Sequence, residues 1–350
     1  MNNNKKIKTA LASFGMSGQV FHGPFLKVNP RFEVVAICER NRELSMQMFP
    51  NARIVRDYRL LTEDPEIEAI IVNTPDYLHF QMAKEALEGG KHVIVEKPFT
   101  LKSNEARELI ALAEKKNLVL TVYQNRRWDG DFLTVKKIID EKILGRIVEF
   151  ESHFDRYKKE VADSWKENPT GNYGALYNLG SHLADQTLAL FGMPSAVTAH
   201  LAIARQGGKI FDYFDIRLKY SSFSALLKCS YLVYNAFTRF VIHGENGSFA
   251  KSGLDPQEAR LKKGELPVGN SWGADESELW GQLSAQINGL PFDGKIETIK
   301  GNYTAFYDNF YETVREGAPL SVKPEEALNV IRLLELCIES HNQGKTLPTD

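Results

Sequence analysis

The residues best suited to chemistry follow a short apolar run in the first third of the chain. Glu96, Lys97 and Pro98 come directly after residues 92–95, which read His-Val-Ile-Val. In an open α/β sheet, ligands bind at the carboxyl ends of the strands. A partly desolvated lysine held there can have its pKa lowered enough to exchange protons near neutral pH. A single Lys-Pro pair more often belongs to a surface loop, so its interpretation depends on the other motifs.

A glycine-containing turn near the amino terminus indicates a dinucleotide-binding loop. Residues 13–18 lie where the G-x-G-x-x-G fingerprint belongs, between a strand and a helix, with Ser13 in place of the first glycine. Gly15 would let the backbone approach a pyrophosphate, and Gly18 would allow close packing of helix on strand. A purely structural turn is the alternative. The residues predicted to contact the pyrophosphate at the helix start are Phe14, Gly15, Met16, Ser17 and Gly18.

The end of the second predicted strand bears on the choice between NAD and NADP. Glu39 lies 21 positions after Gly18. A carboxylate there accepts hydrogen bonds from the adenosine ribose hydroxyls and repels a 2′-phosphate, which favours NAD. Arg40 and Arg42 follow at once, and a guanidinium could bind that phosphate, which favours NADP. All three could also be solvated loop charges. We expect NAD in preference to NADP.

Strand and helix patterns alternate along residues 1–123. Strands that alternate with helices of this length form parallel βαβ units with right-handed crossovers. Gly89 and Gly90 end one of the helices. Strands are predicted at 7–13, 32–38, 54–55, 69–73, 92–95 and 119–123, and helices from about 18, at 42–48, at 78–87 and from 103.

From residue 124 onward the pattern changes. Period-two alternation predicts a mostly antiparallel sheet with one face exposed or covered by a partner. The segment 253–289, rich in glycine and charge, is predicted to be irregular. Strands are predicted at 148–154, 196–204, 213–220, 224–232 and 240–243, and helices at about 132–141, 180–191, 303–316 and 324–341.

Composition excludes several classes of protein. The chain has 350 residues, 43% hydrophobic and 25% charged, and a formal net charge of −2, so neither nucleic acid nor an anionic membrane is expected as a partner. It shows no signal-peptide pattern and no run of roughly 20 apolar residues. The three scattered cysteines, Cys38, Cys229 and Cys337, are interpreted as buried fillers in a reducing cytoplasm. Without a His-Glu-x-x-His or paired-cysteine spacing, no metal site is expected.

Several motifs together resemble the Gfo/Idh/MocA family of NAD(P)-dependent oxidoreductases, the glucose–fructose oxidoreductase and inositol dehydrogenase family. The motifs are the turn with Gly15 and Gly18, Thr74-Pro75, Glu96-Lys97-Pro98 and the segment 174–182. The segments 124–129 and 150–156 are similar to a subgroup that includes scyllo-inositol dehydrogenases. The resemblance covers nearly the whole chain.

This resemblance implies an α/β fold with two domains. The first, residues 1–123, would be a Rossmann dinucleotide-binding domain. The second, residues 124–350, would be an α/β domain with a large open, mostly antiparallel sheet that binds substrate and packs against another subunit. The expected assembly is therefore a homodimer or homotetramer.

The resemblance also implies the catalytic residues. Lys97 matches the lysine that orients the substrate hydroxyl and assists proton transfer, and His182 matches the proposed acid/base. Asn178 stands where family members usually carry aspartate, four residues before the histidine. Asparagine supplies hydrogen bonds but no charge. It is therefore expected to help hold the substrate in an enzyme that keeps its activity, with a slower or altered reaction; loss of activity is the alternative.

Further candidates for the cofactor site follow strand ends or open the helices behind them: Asn73, Thr74, Pro75, His79, Glu96, Lys97, Gln124, Arg127 and Trp128. Asn73-Thr74-Pro75 would line the nicotinamide ribose, and Glu96 would bond a ribose hydroxyl. The structural alternatives are a turn at Pro75, a helix start at His79 and interdomain packing by Arg127 and Trp128.

Candidates for the substrate site lie at the end of a second-domain strand. Arg156 and Tyr157, and with them His153, would join Lys97, Asn178 and His182 around the substrate. His22, beside Gly23-Pro24, would lie below the pyrophosphate or cap a broken helix.

The sequence therefore predicts a cytoplasmic NAD(P)-dependent oxidoreductase. It would transfer hydride between nicotinamide and a sugar or cyclic polyol, with inositol the best guess. Two alternatives stay open. One is an inactive dinucleotide-binding sensor of the same fold; the other is an enzyme for a different unsaturated substrate, since relatives reduce biliverdin or oxidise dihydrodiols.

Overall fold

The computed structural model describes residues 5–162, 167, 174–235 and 238–349. Contacts divide the chain into two compact units. The first unit comprises Met1–Trp128, Pro256–Trp272 and Asn302–Leu328, and the second comprises Asp129–Asp255, Gly273–Gly301 and Asn329–Asp350. Each unit thus combines segments that are distant in sequence. The single boundary predicted between residues 123 and 124 stays a prediction for the two domains.

The first unit contains a parallel six-stranded sheet in the order β3-β2-β1-β4-β5-β6. This is the strand order of a doubly wound dinucleotide-binding fold, in which the order reverses between β1 and β4. Residues of β4 are all buried, as expected for a strand covered on both faces. The strands are β1 Ile7–Leu11, β2 Phe32–Cys38, β3 Arg53–Val55, β4 Ala69–Val72, β5 His92–Val95 and β6 Leu120–Val122.

Short and long helices follow these strands in the first unit. A π-helical segment, Ser17–His22, leads into α1. The helices are α1 Gly23–Val28, α2 Arg59–Thr62, α3 His79–Glu88, α4 Ser103–Lys116, α7 Gln257–Lys262 and α8 Thr304–Glu316, with 3₁₀ turns at Leu44–Gln47, Asp76–Leu78 and Asn125–Trp128. The helix α9, Pro324–Gln343, begins in this unit and continues in the second.

The prediction of a helix at 42–48 is wrong, since only the 3₁₀ turn Leu44–Gln47 forms there. The side chain of Glu39 accepts the backbone N–H groups of Leu44 and Ser45, which starts the turn. Pro50 follows closely and disfavours helical backbone in the residue before it.

The second unit contains a nine-stranded sheet in the order β14-β13-β12-β11-β7-β10-β9-β8-β15. All neighbours are antiparallel except β7 and β10, which run parallel. One face is buried: on β9, Phe214, Ile216 and Leu218 point inward and alternate with more exposed polar residues. The strands are β7 Ile147–His153, β8 Ala196–Ala202, β9 Tyr213–Lys219, β10 Ser224–Ser230, β11 Thr238–Gly244, β12 Gly247–Ser252, β13 Gly281–Ile287, β14 Leu290–Ile296 and β15 Leu347–Pro348.

The second unit also holds α5, Gly130–Asp140, and α6, Ser181–Phe191, which follows a π-helical segment at Leu176–Gly180. The prediction that 253–289 is irregular is wrong, because α7, the 3₁₀ turn Ser277–Leu279 and β13 lie within it. Gly281 and Ala285 occupy two of the three buried positions of β13, and Gly281 lies against the Phe249 ring. Such positions carry little hydrophobic signal.

The predicted fold class is confirmed by these two sheets. Cys38, Cys229 and Cys337 are buried and form no disulfides. Within the described ranges, no helix is long and apolar enough to cross a membrane. The same residues contain no group of three or more His, Cys, Asp or Glu side chains arranged to hold a metal ion.

Candidate functional site

The glycine turn of the first unit lies where the strand order reverses. Ser13 donates its backbone N–H to Asn73 Oδ1 (3.0 Å) and its hydroxyl to the Asn73 carbonyl (2.9 Å), while Asn73 Nδ2 donates to the Ser13 carbonyl (2.9 Å). Ser13 therefore joins the ends of β1 and β4 by three hydrogen bonds. The serine that breaks the glycine fingerprint thus has a structural function of its own.

The two glycines of the turn have different surroundings. A Cβ on Gly18 would lie 2.8 Å from the Ser13 carbonyl oxygen, so this position has no room for a side chain. A Cβ on Gly15 would meet no described atom within 4 Å. Close packing thus requires glycine at 18, whereas at 15 the open space suits the approach of a ligand phosphate. These residues fit the dinucleotide that the fingerprint implies.

Glu39 faces its own loop. Its carboxylate accepts hydrogen bonds from the backbone N–H groups of Leu44 (3.0 Å) and Ser45 (3.0 Å) and from the Ser45 hydroxyl (2.5 Å), and the residue is only 6% exposed. Arg40 and Arg42 are exposed on the same loop. The contact of Glu39 with ribose hydroxyls stays a prediction, and its carboxylate already has three donors.

Glu96 is buried at the end of β5 and connects several parts of the first unit. Its Oε1 accepts hydrogen bonds from the Ser17 hydroxyl (2.5 Å) and from His22 Nε2 (3.0 Å), and its Oε2 accepts the backbone N–H of Lys97 (3.0 Å). Burial alone would raise the pKa of Glu96. The hydrogen bonds and the attraction of His22 and Lys97 outweigh it and lower that pKa to about 2. A ribose contact by Glu96 stays a prediction.

His79 is the first residue of α3, which agrees with the structural alternative of a helix start. Its ring nitrogens lie 2.7 Å from the Pro98 carbonyl oxygen and 2.9 Å from that of Thr74, so the side chain links the loops that follow β4 and β5. The hydroxyl oxygen of Thr74 is buried and has no hydrogen-bond partner among the residues that the structure describes. A polar atom left in this state at the carboxyl edge of the sheet fits a bound ligand.

The residues that follow β6 make packing contacts inside the first unit. Arg127 donates to the Ser321 carbonyl (3.0 Å) and to Glu326 (2.6 Å). Trp128 packs edge-on against Phe306, with ring centroids 5.7 Å apart. The buried Gln124 accepts the backbone N–H of Arg127 on its carbonyl oxygen. The cofactor contacts predicted for Gln124, Arg127 and Trp128 stay predictions beside these structural functions.

In the second unit, an aromatic ring lies beside the histidine of the motif. Asn178 lies in the π-helical segment and His182 in the first turn of α6. The His182 ring is nearly parallel to that of Phe154, with centroids 6.3 Å apart. The guanidinium groups of Arg156 and Arg239 each lie 5.3 Å from the Phe154 ring centre. Phe154 therefore supports His182 and Arg156 from the end of β7.

Asn178 and Tyr157 contact tyrosines that the sequence did not mark. The Asn178 side chain hydrogen bonds the phenol of Tyr231, which lies just after β10 and whose pKa is raised, chiefly by burial. Tyr157 is 52% exposed and packs edge-on against the more exposed Tyr234, with centroids 4.7 Å apart. No local pattern distinguishes these tyrosines from core residues, so sequence reasoning missed them.

His153, the last residue of β7, lies between two carboxylates. Its Nε2 is 3.1 Å from Glu151 Oε2, and its Nδ1 is 3.5 Å from Asp155 Oδ2. Burial would lower the pKa of His153, but hydrogen bonds to Asp155 and Glu151 raise it above its ordinary value. These contacts favour a charged structural role, and its place in a substrate site stays a prediction.

Both π-helical segments in the described part of the chain coincide with predicted motifs. Ser17–His22 carries the end of the glycine turn, and Leu176–Gly180 carries Asn178. Such segments are rare and frequently lie at functional sites. The irregular backbone thus supports the choice of these two regions.

Two family models match the chain. The oxidoreductase family model for the NAD-binding Rossmann fold (GFO_IDH_MocA) matches residues 7–124. The model for the C-terminal alpha/beta domain of the same oxidoreductase family matches residues 136–349.

Individual proteins are similar over nearly their whole length. Scyllo-inositol 2-dehydrogenase (NADP(+)) IolW of Bacillus subtilis (strain 168) is 42% identical over 344 residues, covering 97% of this chain and 95% of that protein. A crystal structure from Bacteroides fragilis NCTC 9343 is 50% identical with a TM-score of 0.91, covering 98% of this chain and 100% of that one. YvaA from Bacillus subtilis is 39% identical with a TM-score of 0.95, covering 99% of both chains.

Proposed function

Because the chain belongs to the Gfo/Idh/MocA oxidoreductase family, we propose that it is an NADP-dependent dehydrogenase of a sugar or cyclic polyol, with an inositol as the best candidate. The observation that carries the proposal is the direct link between the glycine turn and the lysine strand end: Ser17 and the Lys97 backbone both donate to Glu96. The similarity to scyllo-inositol 2-dehydrogenase supports the substrate class.

Oxidation of an alcohol requires transfer of a hydride from carbon and of a proton from oxygen. When bound, the nicotinamide supplies the hydride acceptor, and the other tasks fall to the protein. Lys97 would bind the substrate hydroxyl and stabilise negative charge on its oxygen. His182 would accept the proton and return it in the reverse direction, since a histidine titrates in the physiological range.

Asn178 would hold the substrate in this scheme. Its amide hydrogen bonds the Tyr231 phenol, so the side chain is held in place without a charge. A neutral residue can still bind a hydroxyl as donor or acceptor. We therefore propose an active enzyme in which Lys97 and His182 perform the proton chemistry. Arg156 and Tyr157 would complete the substrate contacts in the second unit.

The preference for NADP follows from the loop after β2. A carboxylate selects NAD when it is free to accept ribose hydroxyls, but that of Glu39 already has three donors from Leu44 and Ser45. The exposed Arg40 and Arg42 suit the charge of a 2′-phosphate. This reverses the balance expected from the sequence. The other proposed cofactor contacts are the turn residues 14–18 together with Asn73, Thr74, Pro75, His79, Glu96, Lys97, Gln124, Arg127 and Trp128.

Assembly and location belong to the same proposal. One face of the second sheet is lined by side chains such as Asp215, Arg217 and Lys219, which alternate with the buried face. We propose that this face packs against another copy, giving a homodimer or homotetramer, to be checked by light scattering. The three free cysteines support a reducing cytoplasm.

The first experiment titrates the purified full-length protein with NADPH and with NADH, following nicotinamide fluorescence, and then screens polyols for turnover. We expect tighter binding of NADPH and turnover of at least one cyclic polyol. Binding of neither dinucleotide would overturn the oxidoreductase proposal. Tighter binding of NADH would overturn only the cofactor preference. Binding without turnover of any polyol would favour a sensor or a different unsaturated substrate.

A further inference from the structure

A buried chain of hydrogen bonds runs through the first unit from the glycine turn to α8. Ser17 donates to Glu96, Glu96 contacts His22 Nε2, and His22 Nδ1 lies 2.8 Å from the Tyr307 hydroxyl. His22 is completely buried, and Tyr307 comes 285 residues later in the sequence. Groups so far apart in the chain thus meet at a single imidazole.

The orientation of the histidine follows from its partners. Ionised Glu96 can only accept hydrogen bonds, so His22 Nε2 must carry a proton. The Tyr307 hydroxyl contacts both His22 Nδ1 and the Phe21 carbonyl oxygen, the latter at 3.1 Å. The phenol therefore holds the ring from the side opposite Glu96.

Glu96 passes this constraint on to the residues of the proposed reaction. The oxygen bound by His22 is the one that accepts the Ser17 hydroxyl, and the other oxygen holds the backbone N–H of Lys97. Rotation of the carboxylate would disturb the glycine turn and the lysine together. A histidine that only filled the core would not need to contact Glu96, the carboxylate that binds both Ser17 and the Lys97 backbone.

We propose that His22 is a positioning residue that orients Glu96, and that Glu96 thereby holds the dinucleotide turn and Lys97 in one common geometry. This inference rests on the proposed function. It predicts that loss of the His22 contact weakens cofactor binding and turnover together, although His22 touches neither ligand.

The pH profile distinguishes this role from simple packing. The groups that face Glu96 are Ser17, His22, Lys97 and, electrostatically, Tyr307. The pKa of Glu96 is about 2, whereas the ordinary value for a glutamate is 4.5. Its side chain therefore stays ionised, and keeps its contacts, at pH values well below 4.5. Without His22, the carboxylate of Glu96 would lose one of the partners that lower its pKa. Its pKa would therefore rise, because its burial remains. The acid limb of turnover would then move to higher pH.

The test compares His22→Gln and Tyr307→Phe with Tyr311→Phe in the full-length protein. Tyr311 is a matched control, since it is a buried tyrosine on α8 whose hydroxyl contacts the Lys5 carbonyl (3.5 Å) instead of His22. Measured quantities are the NADPH dissociation constant by fluorescence, kcat against pH and thermal unfolding. For His22→Gln we expect about tenfold weaker NADPH binding and about tenfold lower kcat. For Tyr307→Phe we expect about threefold weaker NADPH binding and about threefold lower kcat.

Several outcomes are informative. A folded His22→Gln protein with unchanged NADPH binding, kcat and acid limb would overturn the inference. If that variant does not fold, Tyr307→Phe decides: behaviour identical to Tyr311→Phe would overturn it as well. If the unsubstituted protein binds neither NADPH nor NADH, the proposed function fails instead.

Discussion

The two units hold their candidate residues by different physical means. In the first unit, the buried carboxylate of Glu96 accepts directional hydrogen bonds from Ser17, His22 and the backbone N–H of Lys97. In the second, the ring of Phe154 lies beside that of His182 and is flanked by the guanidinium groups of Arg156 and Arg239. Hydrogen bonds specify one geometry, whereas stacked rings tolerate lateral displacement. Under the proposed function, the hydrogen-bonded geometry would fix Lys97 near the cofactor, and the ring contacts would help to place His182.

The largest effect is expected at the lysine of the hydrogen-bonded unit. Lys97→Met removes the cation proposed to stabilise the substrate oxygen, so kcat should fall roughly 10²–10³-fold, a much larger change than that in NADPH affinity. Steady-state kinetics and fluorescence titration measure the two quantities. Lys115→Met, at an exposed position of α4, is the control and should behave like the unsubstituted protein. Equal activity of the two variants would contradict a role for Lys97.

The stacked unit should show a smaller loss. Phe154→Leu keeps an apolar side chain but removes the ring beneath His182, so kcat should fall about tenfold because part of the positioning is lost. Phe223→Leu is the control, since Phe223 stacks on Tyr220 at 4.7 Å outside the candidate site. If both variants keep full kcat, stacking does not position the histidine.

The loop after β2 offers a second test in the first unit, through the proposed contact of Arg42 with the cofactor. Arg42→Ala should weaken NADPH binding about tenfold and leave NADH binding unchanged, because only NADPH carries the 2′-phosphate. The difference should shrink as salt is added, since the arginine is exposed. Fluorescence titrations at two ionic strengths measure it, with the exposed Arg59→Ala as control. Equal loss for both dinucleotides would argue against a phosphate contact.

The smallest effect is expected at Asn178. Asn178→Asp supplies a charge next to the proposed base without removing a hydrogen-bonding side chain. We expect kcat to rise about two- to fivefold if His182 takes the proton, because a nearby carboxylate favours its protonated form. The pH dependence of kcat/KM measures the effect. A variant as inert as an inactive parent would instead support the sensor alternative.

Local patterns predicted what depends on neighbouring residues. Period and turn chemistry were sufficient for the alternating units of the first sheet and for the position of the glycine turn. They failed where a distant partner decides the structure. Even the nearby partners of Glu39, Leu44 and Ser45, are not revealed by the loop sequence, and its contact with a ribose stays a prediction. Tyr307 and Tyr231 look like ordinary core tyrosines until the chain is folded.

The composition of the first unit has a consequence for biosynthesis. Phe25 and Phe32 pack on Tyr307, which belongs to α8 and is made long after them. At a synthesis rate of roughly 5–20 residues per second, the intervening stretch takes about 15–60 s to emerge. The nascent amino-terminal half therefore waits on the ribosome with this aromatic surface uncovered. Chaperones that bind exposed aromatic side chains would find their target there, and a fragment ending at residue 123 would keep that surface permanently.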